Sequence, residues 1–414
     1  MSMANLDHTR KESLIQLNKL GSLASFKTGK LDSNAAKPDG KYPFFTCAKT
    51  PALTNTYSFD TECVLLGGNN ANGIYPLFYF TGKFEAYQRT YVIQSLDETK
   101  LLNRYLFYSL QLQLEILRSI STGAATKFLT LTILNEIEIL LPSILTQQKI
   151  ASILSTYDDL IEKNTWRIKI LEEMAQALYR EWFVDFRFPG HEGVGMVESE
   201  LGLVPEGWEI RKISEVCEKI YSGGTPNTKI SNYWNGSIPW LSSGETRNHY
   251  IISTDKTITI DGISNSSTRL VKAGTTIIAS AGQGQTRGQT SFLMLESYIN
   301  QSIIALIADA RKISDLYLYF NLSRRYPELR QISDSNSSRG SLTTKSFTEL
   351  KIIVPPKELV EKFNAQISIA VNLITTIISQ NANLRRTRDL LLPKLISGEI
   401  DVSDLDIKIP EAEA

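Results

Sequence analysis

The sequence predicts an α+β protein that combines two similar globular α/β domains, related by approximate two-fold symmetry, with two long helices. The first observation is an internal repeat: shifting the 414-residue chain by 213 positions aligns it with itself, without a gap, for about a hundred residues. Val64, for example, falls on Ile277, and Pro142 falls on Pro355. The second observation is a seven-residue spacing of apolar positions after each of these prolines. Two copies of one module indicate a function that uses two similar but non-identical sites.

Each copy begins with short β-like runs that are separated by Gly, Ser, Thr and Asn. In the second copy, residues 275–280, 291–295 and 303–307 are predicted strands of a mostly antiparallel domain with long polar loops. Residues 101–120 and 315–331 have helical spacing and predict one helix in each domain. The glycine-rich run 281–288 lies between two predicted strands and is interpreted as a polar hairpin.

A long helix is predicted after each proline boundary, because proline starts a helix well and interrupts one badly. The apolar positions are Ile150, Leu154, Tyr157, Ile161, Ile168, Leu171, Ala175, Leu178 and Trp182 in the first helix, and Phe363, Ile367, Ala370, Ile374, Ile377, Leu384, Leu391 and Leu395 in the second. Their spacing is that of a coiled-coil seam, so the two helices can cover each other's apolar stripes. Asn164, Asn381 and Arg388 also fall on the seam, either buried, where they would set the register, or wet at splayed ends.

These patterns divide the chain into five segments. They are a first domain (1–141), a central region with the first long helix (142–203), a second domain (204–354), the second long helix (355–400) and an acidic tail (401–414). Formal charges are +2 for 1–141, −4 for 142–203, +4 for 204–354 and −2 for 355–414, within a chain of net charge zero. Mildly basic domains beside acidic connectors are a weak indication of polyanion binding.

Motifs for several kinds of chemistry are missing from the sequence. No phosphate-binding loop of the Gly-x-x-x-x-Gly-Lys-Ser/Thr type is found, and His8, His191 and His249 have no metal-ligand spacing. The run Val354-Pro355-Pro356-Lys357 lacks the polar and aromatic residues of an amino-methyltransferase motif. No run of apolar residues is long enough to cross a membrane, and the three cysteines have no close spacing. We therefore expect a cytoplasmic protein without a catalytic site, a cofactor or a metal of its own.

The order of the parts resembles the specificity subunit of Type I restriction–modification systems. The resemblance is carried by Gly223-Gly224-Thr225-Pro226, Tyr233-Trp234, Gly236, Ile238-Pro239-Trp240-Leu241, Gly274-Thr275, Asn300-Gln301 and residues 350–356 in the second half, and by Thr28-Gly29-Lys30, Gln88, Leu141-Pro142 and Gln147-Gln148-Lys149-Ile150-Ala151 in the first. It covers almost the whole chain. The last run has drifted in the second copy to Val360-Glu361-Lys362-Phe363-Asn364.

The resemblance implies two target recognition domains, each of which reads one half of a split double-stranded DNA sequence, separated by an antiparallel coiled coil of the two helices. It also implies that the subunit is not catalytic. Two modification subunits would bind S-adenosylmethionine and methylate adenine N6, and restriction subunits would use ATP and Mg. A helix over residues 150–183 would be about 50 Å long, which favours an unread spacer between the half-sites. Two alternatives stay open: the recognition scaffold of a stand-alone methyltransferase or nuclease, and an assembly scaffold that binds no DNA.

Polar loop residues are the candidates for contact with DNA. In the first domain they are Lys27, Lys30, Lys49, Asn69, Asn70, Asn72, Lys83 and Lys127. In the second they are Ser222, Thr225, Asn227, Lys229, Ser242, Ser243, Glu245, Arg247, Gln283, Gln285, Arg287 and Arg339. Gln283 and Gln285 can pair with adenine and Arg287 with guanine, while Lys127 and Arg339 are expected to anchor phosphates. Trp234 and Trp240 are expected to be structural.

Overall fold

The structure is a computed structural model that describes residues 16–70, 73–121, 127–335 and 340–409. Two compact units are present. One comprises Met1–Ile161 with Asn383–Ala414, and the other comprises Glu162–Ala382. Each of the two long helices contributes one part to each unit.

The first unit contains β1 (Gln16–Lys19), α1 (Leu20–Leu23), β2 (Ala24–Thr28), β3 (Tyr42–Phe45), β4 (Ala52–Thr54), β5 (Phe59–Gly67), β6 (Asn69–Asn70), β7 (Leu77–Ala86), β8 (Thr90–Ser95), α2 (Asn103–Ile120), β9 (Lys127–Phe128), α3 (Leu131–Asn135), β10 (Glu138–Leu141) and the start of α4 (Ile144–Phe183). It is built on a six-stranded sheet with the order β2-β8-β5-β7-β3-β4. All pairs in this sheet are antiparallel except β3 with β7. Both faces are covered, because alternate residues of β5 enter different clusters: Val64 and Leu66 pack with α2, and Cys63 and Leu65 pack with Phe84.

The second unit contains the rest of α4, followed by β11 (Met196–Ser199), β12 (Gly202–Pro205), β13 (Glu209–Lys212), α5 (Ile213–Val216), β14 (Cys217–Ser222), β15 (Trp234–Leu241), β16 (Tyr250–Ile251), β17 (Lys256–Ile258), α6 (Ile260–Ser264), β18 (Arg269–Val271), β19 (Thr275–Ala279), β20 (Thr290–Leu293), β21 (Ser297–Ile299), β22 (Ile303–Ala308), α7 (Asp315–Ser323), α8 (Tyr326–Ser335), α9 (Thr344–Thr348), β23 (Lys351–Val354) and the first part of α10 (Lys357–Ile396). Its strands form a five-stranded sheet, β14-β22-β19-β20-β16, and a four-stranded sheet, β17-β15-β21-β18. The predicted antiparallel strands around residues 275–307 are β19, β20 and β22.

The repeat in the sequence is reproduced in the elements. α10 and α4 have the same length of 40 residues, and their first residues, Lys357 and Ile144, are 213 positions apart. An ion pair is also repeated: Lys19 contacts Glu136 at 2.6 Å in the first copy, and Lys212 contacts Glu349 at 2.6 Å in the second. The two copies therefore share local contacts as well as an apolar pattern.

Two helix predictions differ from the structure in their bounds. The single helix expected over 315–331 is two helices, because Pro327 lies in the first turn of α8 and cannot donate the backbone hydrogen bond that would continue α7. The first long helix begins at Ile144, six residues before the expected start, with the Ser143 hydroxyl accepting from the Thr146 amide at 3.2 Å. Its 40 residues correspond to a length of about 60 Å.

The coiled-coil seam exists in both units, and its helices are antiparallel. In the second unit, Asn164 faces Asn381 and Trp182 packs against Phe363. Residues with higher numbers on α4 therefore contact residues with lower numbers on α10. In the first unit, the Arg388 guanidinium donates to the Asp158 carboxylate. The predicted apolar seam positions are buried or half-buried. The two asparagines are buried and hydrogen-bonded to each other, so the wet alternative does not apply to them.

The start of α4 is fixed by the fully buried side chain of Gln147. Its carbonyl oxygen accepts from the Leu102 amide at 3.0 Å, and its amide donates to the carbonyls of Lys100 (2.7 Å) and Pro142 (3.0 Å). Three backbone groups in the segments that precede α2 and α4 are satisfied by one side chain. This gives the first residue of the Gln-x-x-Ile-Ala run a structural role.

Candidate nucleic-acid interface

The structure brings three first-domain candidates together on a two-stranded ribbon. In the ribbon of β6 and β9, Asn70 lies directly opposite Lys127, and Asn69 opposite Phe128. The Lys127 ammonium donates to the Ser121 carbonyl at 3.4 Å and is half-buried. Asn72 and the side chain of Asn70 lie outside the described residues.

The other first-domain candidates are exposed lysines that lie apart on the sheet. Lys27 on β2 lies opposite Val92, whereas Lys83 on β7 lies opposite Asp60 and over the ring of Tyr57 at 4.9 Å. Lys30 and Lys49, which complete this set, are also exposed, in the loops after β2 and β3. Such charges can hold phosphates, but their arrangement does not define a base-reading site.

In the second domain, four candidates lie at the end of β14 and in the loop that follows it. The Thr225 hydroxyl bonds to the Gln301 side chain, and the Asn227 side chain accepts from the Lys229 amide at 3.0 Å. Ser222 ends β14 and is half-buried, while Lys229 is exposed. The loop is anchored to the sheet by Trp240, whose indole N–H donates to the Gly224 carbonyl at 3.3 Å. Trp240 is buried and packs against Trp234, as expected for structural residues.

The prediction for Glu245 is corrected by the structure. Only 6% of Glu245 is exposed, and its carboxylate accepts from the amide and hydroxyl of Ser242, both at 3.0 Å, and from the Asp255 amide at 2.9 Å. A carboxylate that satisfies backbone donors in the interior fixes the loop and is not available to a base. Ser242 shares this role, whereas Ser243 is half-buried and Arg247 is exposed.

The glycine-rich run is a hairpin loop between β19 and β20, as predicted, and it presents Gln283 and Gln285 to solvent. Arg287, however, has a side chain only 11% exposed. It is paired with Asp334 and donates to the Gly340 carbonyl at 3.2 Å. The assignment of Arg287 as a guanine reader is therefore wrong for this conformation, because its guanidinium fixes the loop. Arg339 lies outside the described residues.

A cavity of about 310 Å³ beside this hairpin was not indicated by the sequence. We call it the arginine cavity, and its lining includes Arg180, Arg247, Arg324, Gln289, Thr290 and Tyr319. No signal connects these positions in the chain, because they come from α4, α7, β20 and the segments beside them. Only Arg247 and the neighbouring Gln285 were sequence candidates.

Two titratable groups at the arginine cavity have displaced pKa values. His249 Nδ1 lies 3.3 Å from the Glu172 carboxylate, and this hydrogen bond raises the pKa of the imidazole. Burial raises the pKa of Tyr319 well above its usual value, so the phenol is neutral. Among the described residues no group of three His, Cys, Asp or Glu side chains is arranged to hold a metal ion. No helix in the described part of the chain is both long and apolar enough to cross a bilayer.

Comparison with known proteins places the fold in a family. The family model for the Type I restriction modification DNA specificity domain matches residues 13–173 and again residues 205–382. The MjaIX specificity subunit of Methanocaldococcus jannaschii is 27% identical over 74% of this chain and 71% of its own length. The EcoDI specificity subunit of Escherichia coli is 26% identical over 92% of this chain and 87% of its own.

Among solved structures, the S subunit of a Type I restriction–modification system from M. genitalium has the same fold. Its TM-score is 0.62 at 17% identity, over 94% of this chain and 98% of that one. The two matched stretches correspond to the two copies of the internal repeat. The chain therefore belongs to the family of Type I restriction–modification specificity subunits, which are non-catalytic subunits for DNA recognition.

Proposed function

We propose that this chain recognises a bipartite, asymmetric DNA target, with one half-site for each domain, and recruits two modification subunits and the restriction subunits to it. The observation that carries the proposal is the duplication of one set of elements with different loops. α4 and α10, for example, have the same length and begin 213 positions apart, while the polar loops between strands differ in length and sequence. Duplicated scaffolds with different loops suit two half-sites of different sequence.

Within this proposal, base reading belongs to the exposed loops. Gln283 and Gln285 are candidates for adenine contacts, and the loop of Thr225, Asn227 and Lys229 adds further polar groups. In the first domain, Lys127 with Asn69 and Asn70 is the candidate cluster for phosphate and base contacts. Lys27, Lys30, Lys49, Lys83 and Arg247 are exposed cations and are assigned to phosphates.

Docking of the partner subunits is assigned to the long helices. Trp166, Ile170 and Met174 form an exposed apolar stripe on α4, and Ile369 and Leu373 form another on α10. Exposed apolar stripes of this kind mark protein–protein contacts, and helical partners would cover them by the same packing that forms the seam. S-adenosylmethionine, ATP and Mg would be held by these partners.

The decisive experiment is methylome sequencing of cells that express this chain with its partner subunits. We expect one split motif in which two short half-sites flank an unread spacer. The double substitution Gln283→Ala/Gln285→Ala should alter one half-site and leave the other unchanged. A contiguous motif, or a change in both half-sites, would contradict the assignment of one half-site to each domain.

Binding of duplex DNA by the assembled methyltransferase tests the phosphate assignment. Lys127→Gln should weaken binding to all sequences and lower the salt slope by about one. Lys100→Gln is the matched control, since it removes the same charge at an exposed position beside Asp97. Salt-independent binding, or none, would favour the scaffold without DNA recognition. Methyl transfer by the purified chain alone would favour a stand-alone methyltransferase.

A further inference from the structure

The arginine cavity contains polar groups that no described residue satisfies. The Thr290 hydroxyl and the Gln289 side-chain carbonyl are buried atoms without a hydrogen-bond partner among the described residues. Thr290 is only 7% exposed, and both residues line the cavity. Buried polar atoms are nearly always paired in folded proteins, so two unpaired ones in neighbouring residues that line the same cavity point to a bound group that supplies the missing contacts.

The rim of the cavity carries three arginine side chains. Arg180 and Arg324 are exposed, and neither forms an ion pair within the part of the chain that the structure describes, although the charge of Arg324 helps to lower the pKa of the Glu328 carboxyl. Arg247 donates to the Gly244 carbonyl, at 2.8 Å. The nearby carboxylate of Glu172 is engaged by His249. Three guanidinium groups that form no ion pair with the described residues lie around one opening and are suited to a phosphate, which accepts hydrogen bonds from arginine in a planar, bidentate geometry.

Aromatic residues form the inner wall. Tyr179, Tyr319 and Phe320 are buried and line the cavity, and their rings pack in one aromatic cluster. The volume of about 310 Å³ lies at the lower end of small-molecule sites. An aromatic wall, two unpaired polar atoms and a cationic rim match a planar heterocycle that carries a phosphate.

We propose that the arginine cavity binds a single nucleotide, with its phosphate at Arg180, Arg247 and Arg324 and its base against the aromatic wall. On binding, the side chains of Gln289 and Thr290 turn toward the cavity. The Gln289 carbonyl then accepts from an amino group of the base, and the Thr290 hydroxyl donates to a neighbouring ring nitrogen. Adenine and cytosine present this pair of groups, whereas uracil and thymine present a carbonyl in place of the amine. The site thus selects an amino-bearing base.

The nucleotide has two chemical sources: a free mononucleotide, or a nucleotide displaced from the stack of a bound duplex. The second source rests on the proposed DNA recognition, because the cavity adjoins the hairpin of Gln285. The first source does not depend on it. The experiment has one arm for each source.

The first arm measures calorimetric binding of AMP, CMP, UMP and inorganic phosphate to the full chain. AMP or CMP is expected to bind at least about tenfold more tightly than UMP or phosphate. Arg324→Gln and Thr290→Val should each weaken this binding at least about fivefold, while Arg385→Gln, an exposed arginine of the other unit, should leave it unchanged. Thr290→Val keeps the side-chain shape and removes only an unpaired hydroxyl, so the fold should tolerate it.

The second arm uses target duplexes in which single adenines are replaced by 2-aminopurine, whose fluorescence rises when the base leaves the stack. A rise that disappears in Thr290→Val and Arg324→Gln, but not in Arg385→Gln, supports the inference through the DNA source. If neither arm gives a signal, or if the signals are equal in the cavity variants and the control, the inference is wrong. Salt-sensitive duplex binding measured in the same samples separates this failure from failure of the proposed function.

Discussion

The buried amide pair of the coiled coil gives the sharpest test of the fold. Asn164 is 6% exposed and Asn381 is 2% exposed, and the Asn164 amide donates to the Asn381 carbonyl at 2.9 Å. In Asn381→Leu the Asn164 amide loses its acceptor in a site that water does not reach. A buried donor without a partner costs about 1–3 kcal/mol of the free energy of unfolding. We expect a destabilisation of this size for each single substitution.

The double substitution Asn164→Leu/Asn381→Leu should behave differently. It removes both polar groups and places two apolar residues in the seam, so its free energy of unfolding should lie within about 1 kcal/mol of the wild type or above it. The coupling energy of the cycle should then be about 2 kcal/mol or more. Because the polar pair fixes the register of the helices, we also expect the double variant to be less specific in assembly.

Urea unfolding of the full chain, followed by far-ultraviolet circular dichroism, measures these free energies for the transition that includes residues 162–382. Asn372→Leu is a useful control, since Asn372 is exposed on the same helix and lies within these residues. If the single substitutions cost no more than this control and the double variant is their simple sum, the amides are hydrated. The seam would then be splayed at this position.

Two further predictions concern other polar contacts. Gln147→Leu should lower the free energy of unfolding by about 2–4 kcal/mol in the same urea assay, because three backbone groups lose their hydrogen-bond partner. The control, Gln148→Leu, should have little effect. Equal losses in the two variants would show that Gln147 has no special role. The His249 pair with Glu172 raises the folded-state pKa of the imidazole above its unfolded value near 6.5, so its stabilisation is present below that pH and is lost as the pH rises through the folded pKa. Since His249 is half-exposed, the contribution is about 0.5 kcal/mol. The difference in unfolding free energy between the wild type and His249→Gln should be larger at acid than at alkaline pH, and a pH-independent difference would contradict this reading.

The periodic parts of this protein could be predicted from local patterns. The repeat, the strands around 275–307 and the seam positions such as Leu154 and Ile374 follow from apolar spacing, which reports the face that each element buries. The apolar spacing does not separate α7 from α8, although Pro327 stands between their apolar positions. A periodic apolar pattern continues across a proline, so it does not show where the backbone leaves the first helix.

The orientations and hydrogen-bond partners of the polar side chains could not be predicted from such patterns. The sequence by itself determined that there are two copies of one domain, where their long helices run and that the loops between strands are polar. Only the tertiary structure decided that Glu245 and Arg287 point inward, that Asn164 meets Asn381, and that arginines from separate elements surround one cavity. The reason is physical: an apolar residue is buried by the face on which it lies, whereas a polar residue is placed by its hydrogen-bond partner. That partner comes from a distant part of the chain, brought near only by folding.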